Sequence, residues 1–210
     1  GLLLRCEHQF NDLDKSAGAD EMECHLNKIA KEIAETFRCH EVSIFLNDEL
    51  DAEHSFQLRG RHWSDWWNDP VTTDYVGNCE SEGVTGWMLD KSANTSRVCV
   101  QLHNLWYFKD HPEKLSELYP GMEWRDSMDC GTIPRDKLKK HLDVPGKRPL
   151  PPFAYMAAPM YVGDKRVGAI RCSVGKNNWC FSQHQAEALW LVANSIAHRW
   201  QRWMLNRRGE

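Results

Sequence analysis

Cysteine and histidine are the side chains with the greatest capacity for chemistry in this chain, which contains 8 Cys and 10 His. They approach each other at Cys6-Glu7-His8, Cys24-His25, Cys39-His40 and Cys180-x-x-x-His184. Thiolate and imidazole are ligands that zinc prefers, but none of these segments has the Cys-x-x-Cys spacing of a structural site. Chance clustering therefore explains them best. Cys180 and His184 are the alternative, because residues four apart near a helix start share one face.

The cysteines also raise the question of disulfides. The even count would permit bridges, but bridges need an oxidising compartment. The start of the chain has no basic region before Leu2–Leu4 and no long apolar segment, so it does not resemble a signal peptide. Cys99 and Cys172 lie in apolar strand patterns, where a small buried thiol is typical. We therefore expect reduced cysteines and a cytoplasmic domain, excised from a longer protein.

Arg171 is the most informative charged residue, because it interrupts an otherwise apolar strand. Three interpretations are open. Its guanidinium could hold a ligand carboxylate or phosphate in a bidentate pair. It could instead pair with Asp126 or Asp129, or simply face solvent. No phosphate-binding loop, Gly-x-Ser-x-Gly or His-Glu-x-x-His motif accompanies it.

Composition narrows the class of protein. A chain of 210 residues with 41% hydrophobic and 27% charged residues suits one globular core. The net charge of −4 argues against nucleic acid as a partner, and no apolar run is long enough to cross a membrane. Acidic residues concentrate in 1–60 and basic residues in 140–210. These parts either meet within the fold or leave a basic face for a partner.

Hydrophobic periodicity predicts the main elements. Apolar steps of three and four indicate a helix over 20–37, capped by Asp20. Alternating or continuous apolar runs predict strands at 42–46, 54–59, 97–102, 153–162 and 166–174. The last two strands flank a Gly163-Asp164 turn. A final helix begins near Ser182 and runs past Trp203.

Two segments do not fit regular elements. Trp63, Trp66 and Trp67 form either an exposed binding patch or, as we favour, a local cluster that covers the core. Residues 103–151 form a polar insertion punctuated by prolines, with short helices expected at 114–118 and 136–142. We expect this insertion to cover the ligand side and to be the most mobile part.

Three segments together resemble the GAF family. Gly83-Val84-Thr85-Gly86-Trp87 is similar to that family's glycine turn into a ligand-side helix. The run from Ala157 to Ile170 resembles its paired strands around a turn, and Cys180-Phe181-Ser182 resembles the opening of its last helix. The resemblance covers about residues 20–205. It implies an α/β (α+β) fold, with a central antiparallel sheet of about five to six strands, terminal helices behind it, and short helices and the insertion on the ligand side. Residues 1–19 would be an extension or linker, 20–205 the domain and 206–210 a tail.

The resemblance also implies a sensory function. The ligand would lie between sheet and insertion, and its candidate contacts are Trp87, Cys99, Arg125, Asp129, Tyr155 and Arg171. The ligand itself is unknown. No covalent bilin is expected, because Cys24-His25 and Cys39-His40 lie on and after the first helix. The family includes a thiol enzyme, free methionine-(R)-sulfoxide reductase, but the turn here has no cysteine, so a non-enzyme is favoured.

The last helix is the predicted relay. Its residues Leu189, Val192, Ile196 and Trp203 approximate a heptad seam that is interrupted by Arg199. This seam, with Trp200, predicts a homodimer through the helix and a link to an effector domain in the same polypeptide. Trp200 and Trp203 could alternatively cover the domain's own core. A structural dimerisation module without a ligand is the second interpretation of the whole chain, and the thiol enzyme is the third.

Overall fold

The computed structural model describes residues 1–11, 18–47, 56–63, 87–88, 99–103, 105–122, 154–174 and 180–209. Its helices are α1 (Leu2–Asn11), α2 (Ala19–Phe37), α3 (Leu105–Asp110), α4 (Pro112–Leu118) and α5 (Gln183–Arg208). Its strands are β1 (Glu41–Asn47), β2 (Phe56–Trp63), β3 (Val100–His103), β4 (Ala154–Val162) and β5 (Lys165–Val174). The predicted α+β architecture is confirmed.

The five strands form one open antiparallel sheet in the order β2-β1-β5-β4-β3. Chain neighbours pair through β1–β2 and β4–β5, and β5 then joins the two hairpins by pairing with β1. Because side chains alternate along a strand, each strand contributes to both faces. The strands β2 and β3 lie at the two edges of the sheet.

One face of the sheet packs against α2 and α5. Ile33 of α2 and Ile196 of α5 share a fully buried core with Ile44, Met156 and Ile170 of the strands. The helix α5 begins where predicted: the Ser182 hydroxyl accepts from the Gln185 amide at 3.2 Å, and the Ser182 amide donates to the Gln185 side chain at 2.8 Å. Both terminal helices therefore lie on the same side of the sheet, as predicted.

The other face is covered by α3, α4 and the helical residues Trp87 and Met88. Phe108, Leu115 and Met122 pack there against Phe45 and its apolar neighbours on the sheet. Residues 105–118, expected as mostly irregular insertion, are thus helical. Pro112 occupies the first turn of α4, where its missing N–H costs nothing. The predicted helix at 136–142 lies outside the described residues.

Two local expectations were wrong. The helix α2 is capped by Gly18 without a side-chain bond, and Asp20 lies inside its first turn. The strand β2 continues through Gly60 to Trp63. Gly60 allows α2 to pack closely on this strand, since a Cβ at Gly60 would lie 2.7 Å from that of Leu26. Trp63 is therefore part of a strand, while Trp66 and Trp67 lie outside the described residues.

Residues assigned to the terminal extension and tail are partly helical. Leu2 and Cys6 of α1 are buried in the core with α2 and α5, and Arg5 pairs with Glu32 of α2 at 2.8 Å. The helix α5 continues to Arg208, beyond the predicted boundary at 205. Among the described residues, no helix combines the length and apolarity needed to cross a bilayer.

Candidate functional site

Arg171 lies in a buried polar cluster on the face opposite α2 and α5. Its Nη2 donates to Oε1 of Glu41 on the neighbouring strand β1. The same carboxylate accepts from Ser43 at 2.9 Å and from Ser173 at 2.6 Å. The guanidinium also lies 5.4 Å from the centre of the Phe45 ring. Arg171 is therefore buried rather than exposed to solvent, and Asp126 and Asp129, the partners that the sequence suggested, lie outside the described residues.

The charges of this cluster support each other. Burial alone would raise the pKa of Glu41, but the nearby Arg171 charge and the hydrogen bonds from Ser173, Arg171 and Ser43 lower it below its ordinary value. Glu41 is thus held ionised by partners that satisfy both of its oxygens. This arrangement fixes β1 against β5, and it engages one nitrogen, Nη2, of the guanidinium that was expected to bind a ligand.

Two other predicted contacts share this side of the sheet with Arg171. Tyr155 lies opposite Ser173 in the β4–β5 register and is buried. The Trp87 indole contacts the Tyr119 ring edge-on, with centroids 5.9 Å apart, and donates to the Pro120 carbonyl at 3.3 Å. The expected residues thus line one apolar cluster, whereas Arg125 and Asp129 lie outside the described residues.

Cys99 does not join that group. It precedes β3 and points to the opposite face, where its thiol donates to the Ala186 carbonyl of α5 at 3.3 Å. Burial raises the pKa of Cys99 to about 12, so the thiol is protonated at neutral pH. Burial also raises the pKa of Cys172, with Cys39 beside it. These cysteines are packing groups rather than activated nucleophiles.

A groove of about 600 Å³ opens beside Cys99, between the outer edge of β3 and the first turns of α5. Its lining consists of Cys99, Gln101, Tyr119, Gln183, Ala186, Glu187, Trp190 and Leu191. The Tyr119 hydroxyl accepts from the Gln101 amide at 2.9 Å and donates to the Gln101 carbonyl at 3.1 Å. The Gln101 side chain donates to the Ser182 carbonyl at 3.1 Å, which ties β3 to the start of α5.

A second cavity, of about 430 Å³, lies where α2 begins and α5 ends. Trp200 and Trp203 form its aromatic wall, with ring centroids 4.9 Å apart, and Arg207 lies over the Trp203 ring. Glu23 and Arg59 also line it. The Trp200 indole donates to the Asn47 carbonyl at 2.9 Å, which anchors α5 to the end of β1.

The structure corrects the prediction of a dimer seam on α5. Leu189, Val192 and Ile196 are fully buried in the core of the single chain, and Trp200 and Trp203 are also buried. The apolar stripe of α5 is therefore used by its own sheet, as the alternative interpretation held. Trp190 and Leu191, on the outward side, remain 36% and 49% exposed.

The geometry does not support the alternative of a metal site at Cys180 and His184. Cys180 and His184 are both exposed, and His184 lies 3.6 Å from Glu187. Within the described ranges, no three His, Cys, Asp or Glu side chains converge as metal ligands would. The six cysteines that the structure describes are free thiols, and Cys79 and Cys130 fall outside it.

Sequence reasoning missed Glu41 and Tyr119. A glutamate at the first position of a strand looks like an exposed end, and only its pairing with a strand 130 residues away places it beside Arg171. Tyr119 stands in a polar stretch after α4 with no periodic pattern around it. The tyrosine before Pro120-Gly121 marks a turn, but nothing local indicates the strand edge that it closes.

Comparison with known proteins identifies the fold. No family model and no curated protein matches the chain. Among solved structures, the GAF domain of a phosphoenolpyruvate-protein phosphotransferase from Coxiella burnetii is 12% identical, with 99% of this chain and 94% of that chain covered at a TM-score of 0.60. The phycoerythrobilin-bound GAF domain of a cyanobacterial phytochrome is also 12% identical, with coverage of 98% and 96% and a TM-score of 0.58.

A third similar structure is an enzyme. Free methionine-R-sulfoxide reductase from Neisseria meningitidis, solved with its substrate, is 12% identical, with coverage of 100% and 90% and a TM-score of 0.56. Identities this low establish the fold and nothing more. The chain has the GAF fold, as the resemblance implied.

Proposed function

We propose that this GAF-fold chain is a non-catalytic sensory domain of a longer cytoplasmic signalling protein, which binds a small molecule and relays its presence through the terminal helices. The supporting observation is the groove beside β3, because one of its walls is the start of α5. Its volume lies within the range of about 300–1,000 Å³ usual for small-molecule sites.

The path of the signal follows from α5. Gln183, Glu187, Trp190 and Leu191 face the groove, while the far end of the same helix is fixed by Trp200 to β1. A ligand that shifts the first turns therefore acts on a continuous helix of 26 residues. The helix α2 shares its core, so both terminal helices can report the same event.

A thiol enzyme is the weaker proposal. The similar fold of the reductase is the reason to consider it. However, Cys99 and Cys172 have raised pKa values, and the Cys99 thiol donates a hydrogen bond to a backbone carbonyl. A nucleophilic cysteine needs the reverse, a lowered pKa and an open approach. For Cys99 and Cys172, the raised pKa and the burial favour a packing role.

Homodimerisation is retained as a separate part of the proposal. Since the buried stripe of α5 is occupied, a dimer would use outward surfaces, and Leu4 of α1, at 68% exposure, is the most exposed large apolar side chain among the described residues. A dimer built this way would still join α1 and α5 of two copies into one bundle that leads to the effector domain.

Native mass spectrometry of the purified chain tests the sensory proposal, with W190A as the matched variant. We expect an additional bound mass in the wild type that is lost in W190A, and slower hydrogen exchange along 183–208 when the ligand is present. The proposal fails if the wild type carries no small molecule and no compound in a metabolite library raises its melting temperature.

A further inference from the structure

The side chains that line the groove between β3 and α5 indicate what kind of molecule fits it. Four of its residues, Gln183, Glu187, Trp190 and Leu191, lie on one stripe of α5 that turns away from the sheet core. Two large apolar side chains on this stripe, Trp190 and Leu191, are 36% and 49% exposed among the described residues. An exposed Trp next to an exposed Leu is typical of a binding surface.

The two walls differ in kind. The α5 wall supplies the partly exposed Trp190 and Leu191. The β3 wall supplies the Tyr119 ring, which is fixed by two hydrogen bonds to Gln101 and by its edge contact with Trp87. Aromatic side chains on both walls favour a flat apolar body between them. Aromatic faces also attract cations.

The described residues of the groove lining contribute charge of one sign. Glu187 is the acidic side chain among these eight residues, and the Cys99 thiol is protonated at neutral pH. Its contacts within the chain are long: the Gln183 amide lies at 3.4 Å and the His184 ring at 3.6 Å. A carboxylate can accept several hydrogen bonds at once, so Glu187 keeps capacity for a further donor.

We infer that this groove binds a small molecule that carries a protonated amine on an aromatic body, with the ring between Tyr119 and Trp190 and the ammonium at Glu187. This inference rests on the proposed function and specifies its ligand class. The second cavity gives the contrast within the same molecule: Arg59 and Arg207 line it together with Glu23, so a cation has less reason to bind there.

Calorimetric titration with three indole probes tests the inference: tryptamine as the cation, indole as the neutral body and indole-3-acetate as the anion. We expect tryptamine to bind with one site per chain, and indole and indole-3-acetate to bind more weakly. E187Q should weaken tryptamine binding by about fivefold, the size of an exposed charge pair. W190A should weaken both tryptamine and indole, and E23Q, the matched carboxylate of the other cavity, should leave both unchanged.

The outcomes separate the ligand class from the function. All three altered side chains are exposed, and melting curves will show that the variants fold. Equal binding of all three probes that W190A abolishes would overturn the cationic class and leave the sensory proposal intact. Binding lost in E23Q, or a wild-type dimer that dissociates in W190A, would overturn the site itself. If no probe binds, the inference is wrong, and native mass spectrometry decides the sensory proposal independently.

Discussion

Glu41 and Arg171 show how a charged pair can define a sheet without adding much stability. Removing two charges from water costs several kcal/mol, and their attraction does little more than offset that cost. What the pair does add is register: Glu41 lies opposite Ser173, and Ser43 lies opposite Arg171, so all four groups meet only in one alignment of β1 and β5. A slip by one residue would leave both charges buried without partners.

Breaking this pair on one side should be costly, and removing both charges should not. We expect R171M or E41M alone to lower the free energy of unfolding by about 3–5 kcal/mol, because each leaves one buried charge uncompensated. The double variant should lose clearly less than the sum. S43A, which removes one hydrogen bond and keeps both charges, should cost about 1 kcal/mol. Urea denaturation measures all four, and additive losses would show that the charges do not interact.

The pH dependence gives an independent measurement of the same pair. Because the folded-state pKa of Glu41 lies below its ordinary value of 4.5, its contribution is complete above that pH and is lost as the pH falls through the folded pKa. The stability difference between wild type and E41Q should therefore be largest near neutral pH and shrink in acid. A difference that stays constant down to pH 2 would mean that Glu41 is not held ionised.

Cysteine reactivity should follow the environments of the thiols. Cys24 and Cys180 are exposed, whereas Cys99 is half-buried with a pKa of about 12, so its thiolate at pH 8 amounts to on the order of one part in ten thousand. Iodoacetamide labelling followed by peptide mass spectrometry should modify Cys24 and Cys180 first. Cys99 should react only after unfolding. Labelling of native Cys99 as fast as Cys180 would restore the thiol-enzyme interpretation.

Elements with strong periodic signals were predictable from the sequence, and elements made by long-range contact were not. The apolar stripes of 20–37 and 182–205 and the paired runs around Gly163 predicted α2, α5, β4 and β5 correctly. The helix α1 was missed, because its Leu2 and Cys6 pack into a core that later elements assemble. The predicted site residues Cys99 and Arg171 were separated for a similar reason. Both lie in or next to strands, but their positions in the alternation of side chains along each strand place them on opposite faces of the sheet.

Gly168 is the clearest test at the level of the sheet. The close neighbour of this glycine is the backbone of β1: a Cβ at Gly168 would overlap the Phe45 carbonyl oxygen. We expect G168A to force β1 and β5 apart and to cost about 1–3 kcal/mol. G18A, with open space around the added methyl, should change the melting temperature little. Equal effects of the two variants would contradict this account.

At the scale of the whole molecule, α5 has two separate surfaces, and one pair of variants distinguishes them. Trp203 is buried between α5 and α2, so W203A should lower stability by about 3–5 kcal/mol without changing the oligomeric state. Trp190 faces outward, so W190A should have a much smaller effect on melting. Thermal unfolding and sedimentation velocity at tens of micromolar measure both properties. A W203A variant that melts normally but loses a wild-type dimer would restore the seam predicted from the sequence.

The double hydrogen bond between Tyr119 and Gln101 has a consequence for how this chain behaves at high concentration. The outermost strand of an open sheet presents unpaired amides and carbonyls that can recruit another molecule's strand and start cross-β aggregation. On β3 the Tyr119 hydroxyl forms hydrogen bonds with both backbone groups of Gln101, so these two groups cannot pair with the strand of another molecule. We therefore expect any modification that removes or esterifies the Tyr119 oxygen to free both backbone groups of Gln101 and to increase aggregation through this edge.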